Sequence, residues 1–166
     1  MGSGISLKCK CGKKEELHFG VGMMYPRVYR ETLESAKAGE FGERWKELVE
    51  SEEFMAIDAA RYLFFCEECG HWEMAYGFDL YKPKDAEKIR HTDYGIKTVE
   101  EWGDVPYVTG PQLERDYIFV EEYQHLCPQC NVKMYKTEDQ QDAVIKKLAC
   151  KDCGEILMRN GFLMWD

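Results

Sequence analysis

Eight cysteines, arranged as four close pairs, are the residues of this chain whose types and spacing could do chemistry. The pairs are Cys9 and Cys11, Cys66 and Cys69, Cys127 and Cys130, and Cys150 and Cys153. A short turn of this kind aims two thiolates at one point, and two such turns supply the four ligands of a tetrahedral zinc ion. The spacing therefore predicts metal binding that uses every cysteine.

The order of the pairs along the chain suggests how they combine. The last two pairs lie close together in sequence and predict one site, with a returning hairpin between its turns. The first two pairs predict a second site, with about fifty residues inserted between them. Zinc is expected at both sites and iron is the less favoured occupant. Because four thiolates fill a tetrahedron and leave no position for water, both sites are expected to be structural.

Residues 117–160 resemble a zinc ribbon, because two Cys-x-x-Cys turns follow strand-like residues and Gly154 follows the second turn. The first two pairs resemble the same unit with helices in place of its hairpin tip. The first turn departs from the pattern, since only Lys10 separates its two cysteines.

The turn at Cys127-Pro128-Gln129-Cys130 also resembles that of rubredoxin, in which four sulfurs bind iron and transfer one electron. Rubredoxins have glycine after both turns, whereas Asn131 follows this one. The resemblance leaves iron electron transfer or thiol redox sensing as an alternative function.

Three histidines, His18, His71 and His125, lie beside the cysteine turns. Each could donate a hydrogen bond to a thiolate, and His71 could replace a ligand if the Cys9 and Cys11 turn cannot supply two sulfurs. Ordinary strand histidines are the simpler interpretation, because four cysteines already complete each site.

Hydrophobic periodicity predicts the elements that must position the turns. The predicted strands flank the first turn within residues 7–19 and then occupy residues 61–65, 71–81, 117–125, 144–149 and 155–159. Helices are expected from Pro26 to Gly39 and from Gly42 to Glu50, with a third, short helix from Ser51 through Ala60. The predicted fold is α+β: two small antiparallel zinc-ribbon-like β units with an inserted helical hairpin.

The predicted domains are an N-terminal unit (1–82) carrying the helical insertion (about 23–60), a connector (83–116) and a C-terminal ribbon (117–166). Within the connector, residues 85–90 predict a helical turn, and Thr98 with Glu101 predicts a capping box. The connector could instead be a lid or a partner-binding loop, since long irregular segments often are.

Charge and hydropathy narrow the class of protein. A net charge of -9 argues against nonspecific nucleic-acid binding, although two lysine groups flank the cysteine turns. No apolar run approaches the roughly 20 residues that span a bilayer. No signal peptide is evident, so a cytoplasmic location is expected, where thiols stay reduced. Gly2 formally fits the N-myristoylation pattern, but so short a motif is weak, and a flexible end leading into a strand is the favoured interpretation.

No nucleophile or acid-base pair predicts catalysis. Every cysteine is paired, and no serine lies in a Gly-x-Ser-x-Gly motif. A non-enzymatic adaptor is therefore predicted, which binds a protein partner through the helical insertion or the apolar end at residues 162–165. The alternatives are the redox protein above and a nucleic-acid-binding zinc ribbon. The apolar end must either pack or bind, because exposed apolar segments promote association.

Overall fold

The structure, a computed structural model, describes residues 2–137 and 142–165 and has the predicted α+β class. Its strands are β1 (Gly2–Lys8), β2 (Lys14–Phe19), β3 (Ala56–Ile57), β4 (Arg61–Phe65), β5 (Trp72–Tyr76), β6 (Leu80–Pro83), β7 (Tyr117–Glu121), β8 (Tyr135–Thr137) and β9 (Met158–Trp165). Its helices are α1 (Tyr25–Lys37), α2 (Glu43–Val49), α3 (Ala86–Arg90), α4 (Val99–Trp102), α5 (Gly110–Asp116) and α6 (Asp142–Ile145). None of the described helices is long and apolar enough to cross a lipid bilayer.

The chain forms two compact units, and each is assembled from separate segments. Unit 1 comprises Met1–Met23, Ala60–Gly77 and Gln124–Asp166, and unit 2 comprises Met24–Ala59 and Phe78–Tyr123. The division crosses the boundaries predicted from the sequence. The predicted helical insertion lies almost wholly in unit 2, and the predicted connector at 83–116 belongs to that same unit.

Unit 1 contains two antiparallel three-stranded sheets. In the first, β1 lies between β2 and β9, so the beginning and the end of the chain are neighbours. In the second, β4 lies between β5 and β8. The core of this unit includes Ile5, Leu7, Leu17, Leu63, Trp72, Ile145, Leu148 and Leu157. The expected flexible start is wrong, because β1 begins at Gly2 and residues 2–6 pair with β9.

The apolar C-terminal segment packs through one of its faces. Trp165 Nε1 donates to the carbonyl oxygens of Ser3 at 3.1 Å and Phe19 at 3.2 Å, and its ring stacks on His18. Phe162 and Met164 remain 68% and 74% exposed. One face of β9 thus packs against the rest of the protein, and the side chains of Phe162 and Met164 on the other face remain exposed to solvent.

Gly4 is required by the packing of β9 on β1. A Cβ atom at Gly4 would lie 2.4 Å from Leu163 Cδ1 and 2.7 Å from the carbonyl oxygen of Leu17. We expect Gly4→Ala to lower the free energy of unfolding by about 1–3 kcal/mol, because backbone must move to relieve the overlap. Urea unfolding of the metal-loaded protein measures the change.

Gly161→Ala is the matched control for Gly4→Ala, because a Cβ at Gly161 meets nothing within 4 Å. This control should be neutral or slightly stabilising, since alanine reduces the entropy of the unfolded chain. Equal unfolding midpoints for the two variants would contradict the assigned packing of β9.

Unit 2 combines the helices α1 to α5 with one sheet of order β3-β6-β7. Helix α1 buries Tyr25 and Tyr29, and the Tyr25 hydroxyl donates to the carbonyl oxygen of Val108. The predicted helical turn at residues 85–90 is confirmed as α3. The predicted capping box is confirmed as well, because Thr98 and Glu101 cap α4 through bonds in both directions.

Two predicted elements in the first half of the chain are wrong. The third helix is absent, since residues 51–54 form bends and turns and Ala56–Ile57 is the short strand β3. The single strand at 71–81 is two strands in different sheets, β5 and β6. The break falls at Gly77 and Phe78, where Phe78 has a φ of 60°. Sequence alternation continues through this position, but the backbone turns there.

Two predicted strands in the second half also need correction. Strand β7 ends at Glu121, four residues before the predicted end. Residues 144–149 are not a strand, because α6 and a following turn occupy this part of the chain. Ile145 and Leu148 are buried at a spacing of three residues, which is the period of a helical turn rather than of a strand.

Asp116 is a buried carboxylate at the end of α5. Its oxygens accept bonds from Arg115 at 2.7 Å and from Lys88 Nζ at 2.7 Å. Mainly because of Arg115, and against the effect of burial, the pKa of Asp116 is lowered to about 2. The folded pKa lies below the unfolded value of about 3.9, so the carboxylate stabilises the fold above pH 4 and that stability is lost as the pH falls toward 2.

We expect Asp116→Asn to cost about 1–2 kcal/mol at pH 7, a value reduced from the full pKa linkage because Lys88 and Arg115 are largely exposed. The cost should shrink between pH 4 and pH 2. Chemical unfolding of both proteins across this range measures it. Glu114→Gln, an exposed neighbour, is the control, and a constant difference from pH 7 to pH 2 would argue against the assigned ion pairs.

Candidate metal centres

All eight cysteines come together in two groups of four, but the groups differ from those predicted. Centre 1 consists of Cys9, Cys11, Cys150 and Cys153. Centre 2 consists of Cys66, Cys69, Cys127 and Cys130. The predicted combination of neighbouring pairs is therefore wrong: the first turn joins the last, and the second joins the third.

Strand pairing explains this nested arrangement. Strand β1 leads into the first turn and pairs with β9, which follows the last turn by a few residues. Strand β4 leads into the second turn and pairs with β8, which follows the third turn. Both centres therefore lie where strands from distant parts of the chain meet, and both belong to unit 1.

The distances between sulfur atoms fit a tetrahedral metal ion. In centre 1, Cys9 Sγ lies 3.4 Å from Cys153 Sγ, and Cys11 Sγ lies 3.8 Å from Cys150 Sγ. In centre 2, the corresponding Sγ separations are 3.4 Å for Cys66 and Cys130 and 3.5 Å for Cys69 and Cys127. A zinc–sulfur distance of about 2.3 Å gives tetrahedral edges of about 3.8 Å, whereas a disulfide would require about 2.0 Å. Each donor set therefore fits one metal ion.

The four turns share one backbone design. In each turn, the N–H of the first cysteine donates over 2.8 Å to a carbonyl oxygen beyond the second cysteine. The residue that directly follows the second cysteine has a positive φ and donates to the first cysteine's carbonyl; these residues are Gly12, Gly70, Asn131 and Gly154. The Cys9 and Cys11 turn makes the same two bonds with one residue fewer, so its shorter spacing still directs two sulfurs to one point.

Asn131 meets a requirement that is usually met by glycine. Its φ is 56°, in the left-handed region that asparagine tolerates better than most residues. The departure from the rubredoxin pattern at this position therefore leaves the geometry of the turn intact. Because asparagine is known to tolerate this conformation, Asn131 in the sequence could have indicated that the turn keeps its usual geometry.

Each turn buries its first cysteine and exposes its second. Burial opposes ionisation of Cys127, but N–H groups of Gln129 and Cys130 outweigh it and lower the pKa of Cys127 to about 6. An N–H bond from Val132 favours the thiolate of Cys130, yet its thiol neighbours, Cys66 first among them, and burial raise its pKa to about 12.

Centre 1 repeats this division of thiol acidity. N–H groups of Asp152 and Cys153 lower the pKa of Cys150 to about 7. For Cys153, a bond from the N–H of Glu155 is outweighed by its thiol neighbours and burial, which raise its pKa to about 12. Four thiolates at such short distances need a cation to offset their repulsion, and this is the chemistry of a metal site.

The two centres differ in the charges around them. The two predicted lysine groups converge on centre 1, because its turns come from opposite ends of the chain; the exposed lysines are Lys8, Lys10, Lys13, Lys14, Lys146, Lys147 and Lys151. Lys13 Nζ lies 3.2 Å from Asp152, which links the two turns. The Cys66 turn of centre 2 instead carries Glu67 and Glu68. Centre 1 therefore has more local compensation for thiolate charge.

Histidine replaces cysteine in neither group among the described residues. The ring of His71 lies beside Glu73 at 3.5 Å, and the contacts of His71 with the cysteines of centre 2 come from its backbone: its N–H donates to Cys69 Sγ, and its carbonyl oxygen accepts from the N–H of Cys66 at 2.8 Å. His18 stacks on Trp165, and the ring of His125 lies 3.9 Å from that of Phe64.

No protein-family model, curated protein or solved structure matches this chain. The two cysteine groups and the surfaces of the two units are therefore the features from which a function is inferred.

Proposed function

We propose that this chain is a cytoplasmic, non-enzymatic adaptor with two structural zinc ions, one in each cysteine group, that binds a protein partner through unit 2. The observation that carries the proposal is the complete four-thiolate set in each centre, with Sγ separations close to a tetrahedral edge. Four protein ligands leave no position for a substrate or an activated water. The metal ions would therefore stabilise unit 1 and leave recognition to other surfaces.

Zinc is the favoured metal because an all-thiolate tetrahedral site binds it without a redox requirement. The reducing cytoplasm keeps such thiols available for the ion. Unit 2 is the favoured partner-binding part, because both metal centres and their supporting sheets occupy unit 1.

Metal content is the direct test. Protein purified without added metal should contain about two zinc ions per chain by mass spectrometry and show no visible absorbance. Iron with visible absorption bands would support the rubredoxin-like alternative instead. Metal-free protein with a full native fold would contradict the structural role.

Nucleic-acid binding is the second candidate, favoured by the seven lysines around centre 1. Two of them, Lys8 and Lys14, are direct cross-strand neighbours, and like charges in that position repel. Binding that weakens steeply with salt, and that is lost on replacing both lysines with glutamine, would support this candidate.

A further inference from the structure

Unit 2 contains a cleft that the metal chemistry does not use. Its volume is about 440 Å³, within the range of small-ligand sites, and its walls come from the ends of α1, α2 and α3, from the start of α4, and from the segments that follow α2 and α4. Three lining residues are almost fully buried: Val49 at 2% exposure, Met55 at 4% and Val99 at 0%. The cleft therefore has apolar side chains in its lining.

Acidic residues outnumber basic residues around this cleft. Five carboxylates and two cations line it: Glu50, Glu52, Glu53, Glu100 and Asp104 against Lys37 and Arg90. The imbalance extends to the whole of unit 2, which has 11 Lys and Arg against 20 Asp and Glu, whereas unit 1 has 11 of each. The net charge of -9 therefore belongs to the unit that contains the cleft.

Two basic side chains of this protein, Arg90 and Lys37, already form ion pairs with carboxylates in the lining of the cleft. The Arg90 guanidinium lies 2.6 Å from Glu53 and 5.4 Å from the centre of the Phe54 ring. The Lys37 ammonium lies 2.7 Å from Asp104. Carboxylates beside an aromatic ring and aliphatic side chains are the surroundings that a long basic side chain prefers.

Two carboxylates of the cleft have no such cation. Within the described part of the chain, no lysine or arginine lies within 4 Å of the carboxylate of Glu50 or Glu100, although Glu100 lies 3.8 Å from the ring of His91. By contrast, Glu52 approaches Lys82 at 3.4 Å. Glu50 and Glu100 are therefore available to a cation from outside.

We propose that this cleft receives a lysine or arginine side chain from a basic segment of a partner protein. The aliphatic stem would lie against the half-buried ring of Phe54, beside the buried Val49, Met55 and Val99, and the charged end would bind Glu50 and Glu100. This inference rests on the proposed adaptor role and names the chemistry of the partner. Charge complementarity with unit 2 selects a basic segment over an acidic or neutral one.

The test uses two matched peptides, Ac-Ala-Ala-Arg-Ala-Ala-NH2 and the same peptide with neutral citrulline in place of arginine. Both are titrated into the ¹⁵N-labelled full chain and followed by two-dimensional NMR. The arginine peptide should shift the amides of residues 49–55 and 99–104, and the citrulline peptide should bind at least about fivefold more weakly, as expected for losing contacts with two carboxylates.

Two double variants separate the cleft from the general field of unit 2. Glu50→Gln with Glu100→Gln should weaken the arginine peptide by about fivefold. Glu43→Gln with Glu47→Gln removes the same charge from α2, outside the cleft, and should change binding by less than about twofold.

Three outcomes would overturn the proposal: no shifts with the arginine peptide at about 10 mM, equal binding of both peptides, or equal weakening by both double variants. Spermidine binding the same residues more tightly than the peptide would assign the cleft to a free polyamine and overturn the protein partner. Metal content measured on the same sample reports separately on the proposed zinc centres, because those lie in unit 1.

Discussion

Replacing Cys11 and Cys153 together with serine should lower bound zinc from about two ions per chain to one, because both cysteines belong to centre 1. Replacing Cys11 and Cys69 should instead weaken both centres, because these residues belong to different groups. All three cysteines are the exposed members of their turns, so the substitutions disturb packing as little as a ligand change can.

Each variant is dialysed against a chelator of intermediate affinity, and the zinc that remains bound is then measured. Native mass spectrometry gives the number of ions on each chain. Cys69→Ser with Cys130→Ser is the matched control, since it removes two exposed ligands from centre 2 alone. If the Cys11 and Cys69 variant kept one intact site while the Cys11 and Cys153 variant lost both, the order along the chain would define the sites after all.

The cysteine turns were recognisable from sequence as candidate metal-binding turns because the chemistry of a cysteine turn is local. Two thiolates at this spacing point to one place whatever the rest of the chain does. The combination of turns is a different kind of information, since four turns can pair in three ways. Which turns combine is determined by the pairing of β1 with β9 and of β4 with β8. The residues of the turns do not indicate these long-range pairings.

The helical insertion was predictable for a similar reason. The periodic burial of Tyr29, Leu33 and Ala36 in α1 is a strong local signal. Sequence periodicity failed where the backbone departs from a regular path, as at Phe78, where a positive φ turns the backbone although the alternation of residues continues. It also failed for the third predicted helix, because the two residues of β3 are too few to establish a period.

The membership of unit 2 was not predictable from composition. Residues 83–116 contain glycine and proline breaks that favour a connector, yet they pack with the helical insertion inside one unit. The contacts are specific pairs far apart in sequence, such as Lys37 with Asp104 and Arg90 with Glu53. The cleft could therefore not be predicted from the sequence, because it is formed by segments that are far apart along the chain.

Removing the metal with a strong chelator should unfold unit 1 and leave the core of unit 2 folded. A structural zinc site contributes about 10–16 kcal/mol of apparent binding free energy, whereas whole domains are stable by only about 5–15 kcal/mol. Both centres lie in unit 1, whose segments come from three separate parts of the chain. Unit 2 has its own sheet and its own buried residues, and it contains none of the eight cysteines.

The four tryptophans allow each unit to be followed separately, because Trp72 and Trp165 lie in unit 1 and Trp45 and Trp102 lie in unit 2. With 5-fluorotryptophan incorporated, the ¹⁹F resonances of Trp72 and Trp165 should collapse to the random-coil position after chelation. Trp72 would lose its hydrogen bond to the carbonyl of Ala149, which directly precedes a centre 1 ligand, Cys150. The Trp45 resonance should keep its folded shift, since its side chain is buried in unit 2.

Chelator already saturated with zinc is the control for nonspecific effects on the resonances. Collapse of all four signals together would mean that the two units unfold as one, so the metal would stabilise the cleft as well as the sheets. Four unchanged signals after complete removal of the metal would instead exclude a structural role for both centres. Retention of the Trp45 resonance while the Trp72 and Trp165 resonances collapse would assign the stabilising function of the metal to unit 1 and leave unit 2 as an independently stable binding surface.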